Sequence, residues 1–133
     1  MGVAQSELVV TLRRMGVQVQ HLLAVIPVSD IHAAAQWYER FVGAAPTNNP
    51  MPSLFEWRVT STGWIQVFAD AEKAGSTMVN FAVEDLEGAI EELGGRGLTP
   101  GEIQDADKGV RLSRLVDPDG NTIRLIGGFR EMY

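Results

Sequence analysis

The chain has 133 residues, no cysteine, two histidines, and 11 basic against 17 acidic residues, for a net charge of −6. A chain this long buries about two thirds of its unfolded surface as one domain, and the lack of cysteine excludes a disulfide framework, a thiolate metal centre and a cysteine nucleophile. Few, scattered basic residues argue against a nucleic-acid binder, and the longest apolar run, Leu22 to Val28, is far short of the ~20 residues that cross a bilayer.

Residues 1–19 read as an N-terminal extension without a basic start, apolar stretch and small-residue cleavage site, so the expected location is the cytoplasm. Leu22 to Val28 is an apolar, partly β-branched strand that stops at Ser29-Asp30. Ile31, Ala34, Ala35, Tyr38 and Phe41 then recur at helical spacing until Gly43. Ala45 to Ser53, with three prolines and two asparagines, reads as a loop. Phe55 to Val59 and Trp64 to Phe68 flank Thr60-Ser61-Thr62-Gly63 as a hairpin.

The second half repeats this order. Thr77 to Val83 is a strand, Glu84-Asp85 a stop, and Leu86, Ala89, Ile90 and Leu93 a helical stripe ending at Gly94-Gly95. Val110 to Val116, the turn Asp117-Pro118-Asp119-Gly120-Asn121 and Thr122 to Ile126 form a second hairpin. A shift of 55 lays Val28, Asp30, Ile31 and Ala34 on Val83, Asp85, Leu86 and Ala89; a shift of 58 lays Ile65 to Phe68 on Ile123 to Ile126. Residues 20–133 are therefore expected to form a single α+β domain of two tandem β-α-β-β-β modules, 20–70 and 76–127.

The strands ending in Val-x-Asp, the helical Trp37-Tyr38, Val83-Glu84-Asp85-Leu86-Glu87 and the Asp117-Pro118-Asp119-Gly120-Asn121 turn before the last strand resemble the vicinal oxygen chelate superfamily, which includes glyoxalase I, extradiol dioxygenases and the fosfomycin and bleomycin resistance proteins. The resemblance covers about Gln20 to Gly127. It implies two curved sheets that make a ligand cup, with the helices outside, and a homodimer into whose interface Val9, Val10 and Leu12 of the extension could pack.

Splitting each strand by parity separates two faces. Leu22, Ala24, Ile26, Val28, Ile65, Val67, Val79, Phe81, Val83, Ile123 and Leu125 are all apolar and should lie under the helices. The opposite set includes His21, Leu23, Trp64, Gln66, Phe68, Met78, Asn80 and Arg124, a mixture of aromatic, apolar and polar groups suited to a small-molecule site. An even-length first hairpin loop adds Phe55 and Trp57 to this face, and a five-residue second turn adds Arg114 opposite Arg124. The rings serve either as a stacking platform or as core and subunit contact. Arg124 is either a surface residue or a cation that binds an anionic ligand group through its fork.

The resemblance places the metal ligands of metal-dependent members at Leu23, Gln66, Met78 and Arg124, of which only the Gln amide oxygen can coordinate. His21, two residues before Leu23, would replace a ligand only if the register slips. Neither a metal nor another cofactor is expected, and no catalytic residue is assigned. The expectation is a metal-independent binding or sequestering protein for an aromatic or amphipathic metabolite or antibiotic; the alternative is a metal-dependent lyase, isomerase or dioxygenase of the same superfamily. Of the charge, Glu84 to Asp107 holds eight acidic residues and one arginine, so the acidity belongs to the second helix and the loop after it.

Overall fold

A computed structural model describes residues 16–133. Val9, Val10 and Leu12, expected at a dimer contact, lie outside the described residues. In the first module β1 (Leu22–Val28) leads into α1 (Ile31–Val42), followed by β2 (Asn48–Met51), β3 (Leu54–Arg58) and β4 (Gly63–Ala69). The second module repeats the order with β5 (Met78–Val83), α2 (Leu86–Gly95), β6 (Gln104–Asp105), β7 (Arg111–Val116) and β8 (Thr122–Gly127). Each module is a mixed four-stranded sheet, in the orders β1-β4-β3-β2 and β5-β8-β7-β6, with β1 parallel to β4 and β5 parallel to β8. The tandem α+β duplication is thus present, and it leaves β1 and β5 as the outer strands of their sheets.

One element departs from expectation. Within the presumed loop Ala45 to Ser53, Asn48–Met51 is a strand. Pro50 cannot donate to a ladder, but an edge strand has a side that needs no donor, and β2 lies at the edge of its sheet opposite β1. The Asn49 Nδ2 group closes the following turn by donating to the Met51 and Leu54 carbonyls at 2.9 and 2.8 Å.

The two Val-x-Asp endings are helix caps. Asp30 Oδ1 accepts from the His32 and Ala33 amides at 3.1 Å each, and Asp85 Oδ1 from the Gly88 amide at 3.0 Å, which satisfies amide donors that a first helical turn otherwise leaves unpaired. Gly43 ends α1 at φ 83°, in the left-handed region that favours glycine.

Strand parity sorts the faces as expected except at the start of β1, where Leu22 runs beyond the cover of α1 and is 74% exposed. Ile26, Val28, Ile65 and Val67 are buried against Ala34, Tyr38 and Phe41 of α1; Ile123, Leu125 and Leu115 are buried in the same core with Leu86 and Leu93 of α2. Each fully buried aliphatic chain contributes about 1.5–3 kcal/mol relative to exposure. Burial is incomplete along β5, whose Val79, Phe81 and Val83 are half-buried beside a cleft of about 730 Å³ between the modules.

The modules are also joined by a polar knot. Asp117, only 4% exposed, accepts from the Tyr38 hydroxyl at 2.7 Å and from Asn121 Nδ2 at 2.8 Å. Asn121, fully buried, donates to the Pro27 carbonyl at 2.9 Å and accepts from the Gly75 and Thr77 amides at 3.0 Å each. Asp119 accepts from the Ser29 amide at 3.0 Å and from the Ser29 hydroxyl. The Asp-Pro-Asp-Gly-Asn sequence is therefore a turn that also fastens the two modules together.

Candidate functional site

On the face of each sheet away from the helices, the register arranges side chains in three rows. In the first module the rows across β1, β4 and β3 are Leu23–Trp64–Arg58, Val25–Gln66–Glu56 and Pro27–Phe68–Leu54. In the second, across β5, β8 and β7, they are Met78–Thr122–Val116, Asn80–Arg124–Arg114 and Ala82–Ile126–Leu112. The shift of 58 that relates the hairpins superposes the two grids: Gln66 and Arg124 hold the two centres, and Glu56 corresponds to Arg114.

This arrangement brings Leu23, Trp64, Gln66 and Phe68 onto one open face, and Met78, Asn80, Arg114 and Arg124 onto the other. Phe55 and Trp57 do not belong there. They stand opposite Val67 and Ile65 and point to the helix side. Trp57 is 1% exposed, its ring beside Tyr38 and its Nε1 donating to the Ala44 carbonyl at 2.9 Å. The reason is loop length. Arg58 pairs with Trp64, so five residues, Val59 to Gly63, lie between these paired positions, and an odd count reverses the parity expected from an even loop. The second hairpin does use the five-residue turn, with Val116 opposite Thr122, and Arg114 faces Arg124 as anticipated.

The same reversal puts three residues on the open face that the sequence reading passed over: Leu54, Glu56 and Arg58. A signal for them existed, because moving the Arg114–Arg124 pair back by 58 gives Glu56–Gln66 directly.

The polar groups differ in how far their bonding capacity is used. Gln66 Nε2 donates to Glu56 Oε2 at 2.6 Å, and Asn48 Nδ2 to Glu56 Oε1 at 3.2 Å. Arg58 turns to the Ser61 carbonyl and lies over the Trp64 ring, 5.4 Å from its centroid. Trp64 Nε1 donates to His21 Nδ1 at 3.0 Å, so the exposed His21 orients the indole. Arg124 Nε donates to Asn80 Oδ1 at 2.8 Å; its two terminal nitrogens, like the whole Arg114 guanidinium, meet no carboxylate among the described residues. Around these centres Leu23, Val25, Met78 and Val116 are exposed, an apolar surface that water covers at a cost.

The cleft between the modules is a different place. Its walls are helix-side groups such as Ala24, Phe41, Ile65, Phe81 and Leu93, and of the expected site residues only Trp64 and Asn80 reach it. Two of its polar groups are already paired: Arg96 binds Glu92 at 2.7 Å and donates to the Arg40 and Phe41 carbonyls. The open faces hold the uncommitted polar groups that can orient a ligand, and they are the better candidate site.

A divalent metal does not fit the four equivalent positions. Leu23 offers no donor, Met78 only a soft thioether and Arg124 a positive charge, so the Gln66 amide oxygen, turned away from Glu56, is the single hard donor of the four and cannot hold the ion alone. Among the described residues no three His, Asp or Glu side chains are grouped to hold an ion.

The sequence profile of the Glyoxalase-like domain matches residues 23–126. No curated protein matches the chain. Among solved structures, the glyoxalase / bleomycin resistance protein of Catenulispora acidiphila DSM 44928 is 30% identical, with a TM-score of 0.75 over 80% of this chain and 96% of that one. A bleomycin-binding protein complexed with bleomycin is 19% identical (TM-score 0.68, covering 82% and 98%), and a lactoylglutathione lyase from Agrobacterium tumefaciens is 15% identical (TM-score 0.65, covering 85% and 96%); both share the fold. With most of its length matched by that profile, the duplicated chain belongs to the glyoxalase-like family of the vicinal oxygen chelate superfamily.

Proposed function

We propose that this protein binds or sequesters a small aromatic or amphipathic molecule, a metabolite or an antibiotic, without a metal. The observation that carries the reading is Arg124. Its guanidinium occupies the centre of an open sheet face with Asn80 as its one partner among the described residues, beside a second arginine and ringed by Met78, Ile126 and Val116. Two cations opposite each other repel, and an anionic ligand group gripped by the fork would offset that cost. Trp64 and Phe68 supply rings to stack on in the other module. The fold shared with a bleomycin-bound protein is in keeping with a binding role.

The reading takes the active form to be a homodimer. The outer strands β1 and β5 carry exposed Leu22, Leu23, Val25 and Met78, which a second copy would cover. It also takes the location to be cytoplasmic, where a chain without cysteine lacks nothing. Among the described residues no helix is long and apolar enough to cross a membrane.

A thermal-shift screen of metabolites and antibiotics tests the reading, followed by titration of the hits on Arg124→Ala. Unchanged affinity for every hit would remove the role of Arg124. Elemental analysis separates the enzyme alternative, since a stoichiometric divalent metal in the purified protein would replace sequestration by metal-dependent lyase, isomerase or dioxygenase chemistry. A monomer in native mass spectrometry would discard the dimer.

A further inference from the structure

The first module's open face has a polarity of its own, fixed by the contact between Gln66 and Glu56. A carboxylate has only acceptor sites, so the end of the Gln66 amide that faces Glu56 at 2.6 Å must be the NH2. The carbonyl oxygen therefore points away from Glu56, and it accepts from no protein group among the described residues. Asn48 donates to the other Glu56 oxygen, so the row Asn48, Glu56, Gln66 runs across β2, β3 and β4 with every donor aimed at the carboxylate. Arg58, two residues along β3, is drawn to the Ser61 carbonyl and makes no ion pair with Glu56. The centre of this face is thus an acceptor backed by a negative charge, with the Trp64 and Phe68 rings on either side along β4. In the second module the corresponding centre is a cation, and an arginine stands where Glu56 would be.

We infer that the first module's open face is an amine subsite. It takes the protonated amine of an amphipathic ligand onto Gln66 Oε1 and the Glu56 charge, with the ligand's apolar body against Trp64 or Phe68. The unpaired acceptor at Gln66 Oε1 and the Glu56 charge behind it favour an ammonium here over a carboxylate. The two duplicated faces have then diverged in sign, one for a donor or cation and one for an anion. This rests on the open faces being the ligand site.

Calorimetric titration of the full chain at pH 7 with two probes, tryptamine and indole-3-propionate, tests it, since both carry the same ring and have opposite charge. Wild-type protein is expected to bind tryptamine; Glu56→Gln and Gln66→Met should each weaken it at least tenfold and leave indole-3-propionate within about twofold. Using two variants guards against one of them failing to fold, which circular dichroism reports. Tryptamine affinity unchanged in both variants overturns the subsite. Binding of indole-3-propionate alone, lost in Arg124→Ala, overturns the subsite and leaves the binding function standing, whereas no binding of either probe overturns both.

Discussion

The Tyr38 hydroxyl, on the first module's helix, donates at 2.7 Å to Asp117 in the second module's turn, and both residues are buried. Burial first, then the hydrogen bond and charge of Asp117, push the phenol's pKa far above its ordinary 10.0. Tyr38→Phe keeps the ring and removes the bond, so it should cost about 1.5–3 kcal/mol, the worth of a hydrogen bond to a charged group. Because the folded pKa is raised, this contribution is complete below pH 10 and declines as pH rises above it, when the unfolded chain loses the phenolic proton and the folded chain keeps it. Urea denaturation of wild type and Tyr38→Phe at pH 7 and above 10 reads both effects; the variant should show the weaker alkaline decline.

Asn121 makes four bonds with its side chain, two as donor and two as acceptor, at full burial. Asn121→Ala strands the Gly75 and Thr77 amides and the Pro27 carbonyl together. With each unsatisfied buried group costing about 1–3 kcal/mol, a loss of at least 3 kcal/mol is expected. A shift in the urea midpoint worth under about 1 kcal/mol would mean that water replaces the side chain.

The duplication and the two faces of β1, β4, β5 and β8 were legible in the sequence because strand periodicity is a local property and the apolar parity set is unbroken. The aromatic assignment failed where it depended on one integer, the loop length between β3 and β4. The motif Thr60-Ser61-Thr62-Gly63 suggests four residues, but Val59 also leaves the ladder, its amide bonding the Gly63 carbonyl at 2.9 Å, and Thr60 Oγ1 accepts from the Gly63 amide at 2.8 Å. Those contacts make the loop odd and turn Trp57 inward and Glu56 outward. The polar knot around Asp117 and Asn121 was visible only as a turn, since its partners Tyr38 and Pro27 lie 79 and 94 residues away.

Trp57 and Trp64 should separate stability from binding. Trp57 is 1% exposed, and Trp57→Ala leaves a large cavity worth about 3–5 kcal/mol. Trp64 is half-buried on the open face, and Trp64→Ala should cost about 1 kcal/mol, roughly half the value of a fully buried chain. Any ligand that stacks on this face should lose affinity in Trp64→Ala and keep it in Trp57→Phe. Thermal unfolding and ligand titration on the three variants check the division; comparable destabilisation by the two alanines would contradict the register.

Glu87 and Arg111 form a two-pronged pair at 2.7 and 2.9 Å between the first turn of α2 and β7. The Arg111 hydrogen bond holds the Glu87 carboxyl down from 4.5 to about 2. A depressed folded pKa gives stabilisation that is present above pH 4.5 and is lost as pH falls towards 2. The pair is on the surface, so salt should weaken it. An NMR titration of the Glu87 carboxyl is expected to show its midpoint near 2, returning towards 4.5 in Arg111→Ala.

Arg124 yields the sharpest expectation, because stability and binding should move apart. The residue meets no carboxylate among the described residues and stands directly across from Arg114, and like charges in that position destabilise by about 0.2–1 kcal/mol. Arg124→Ala should therefore leave the melting temperature unchanged or slightly raised, most visibly at low salt. The same change removes the fork for an anionic ligand group, worth about 1.5–3 kcal/mol, or roughly ten- to hundredfold in affinity. Arg124→Lys keeps the charge but lacks the planar fork that bonds Asn80 through Nε while offering its terminal nitrogens outward. It should recover the repulsion with Arg114 and only part of the binding. Melting curves at two salt concentrations and titrations with an anionic hit, run on all three proteins, test this; a marked loss of stability in Arg124→Ala would make Arg124 a structural residue instead.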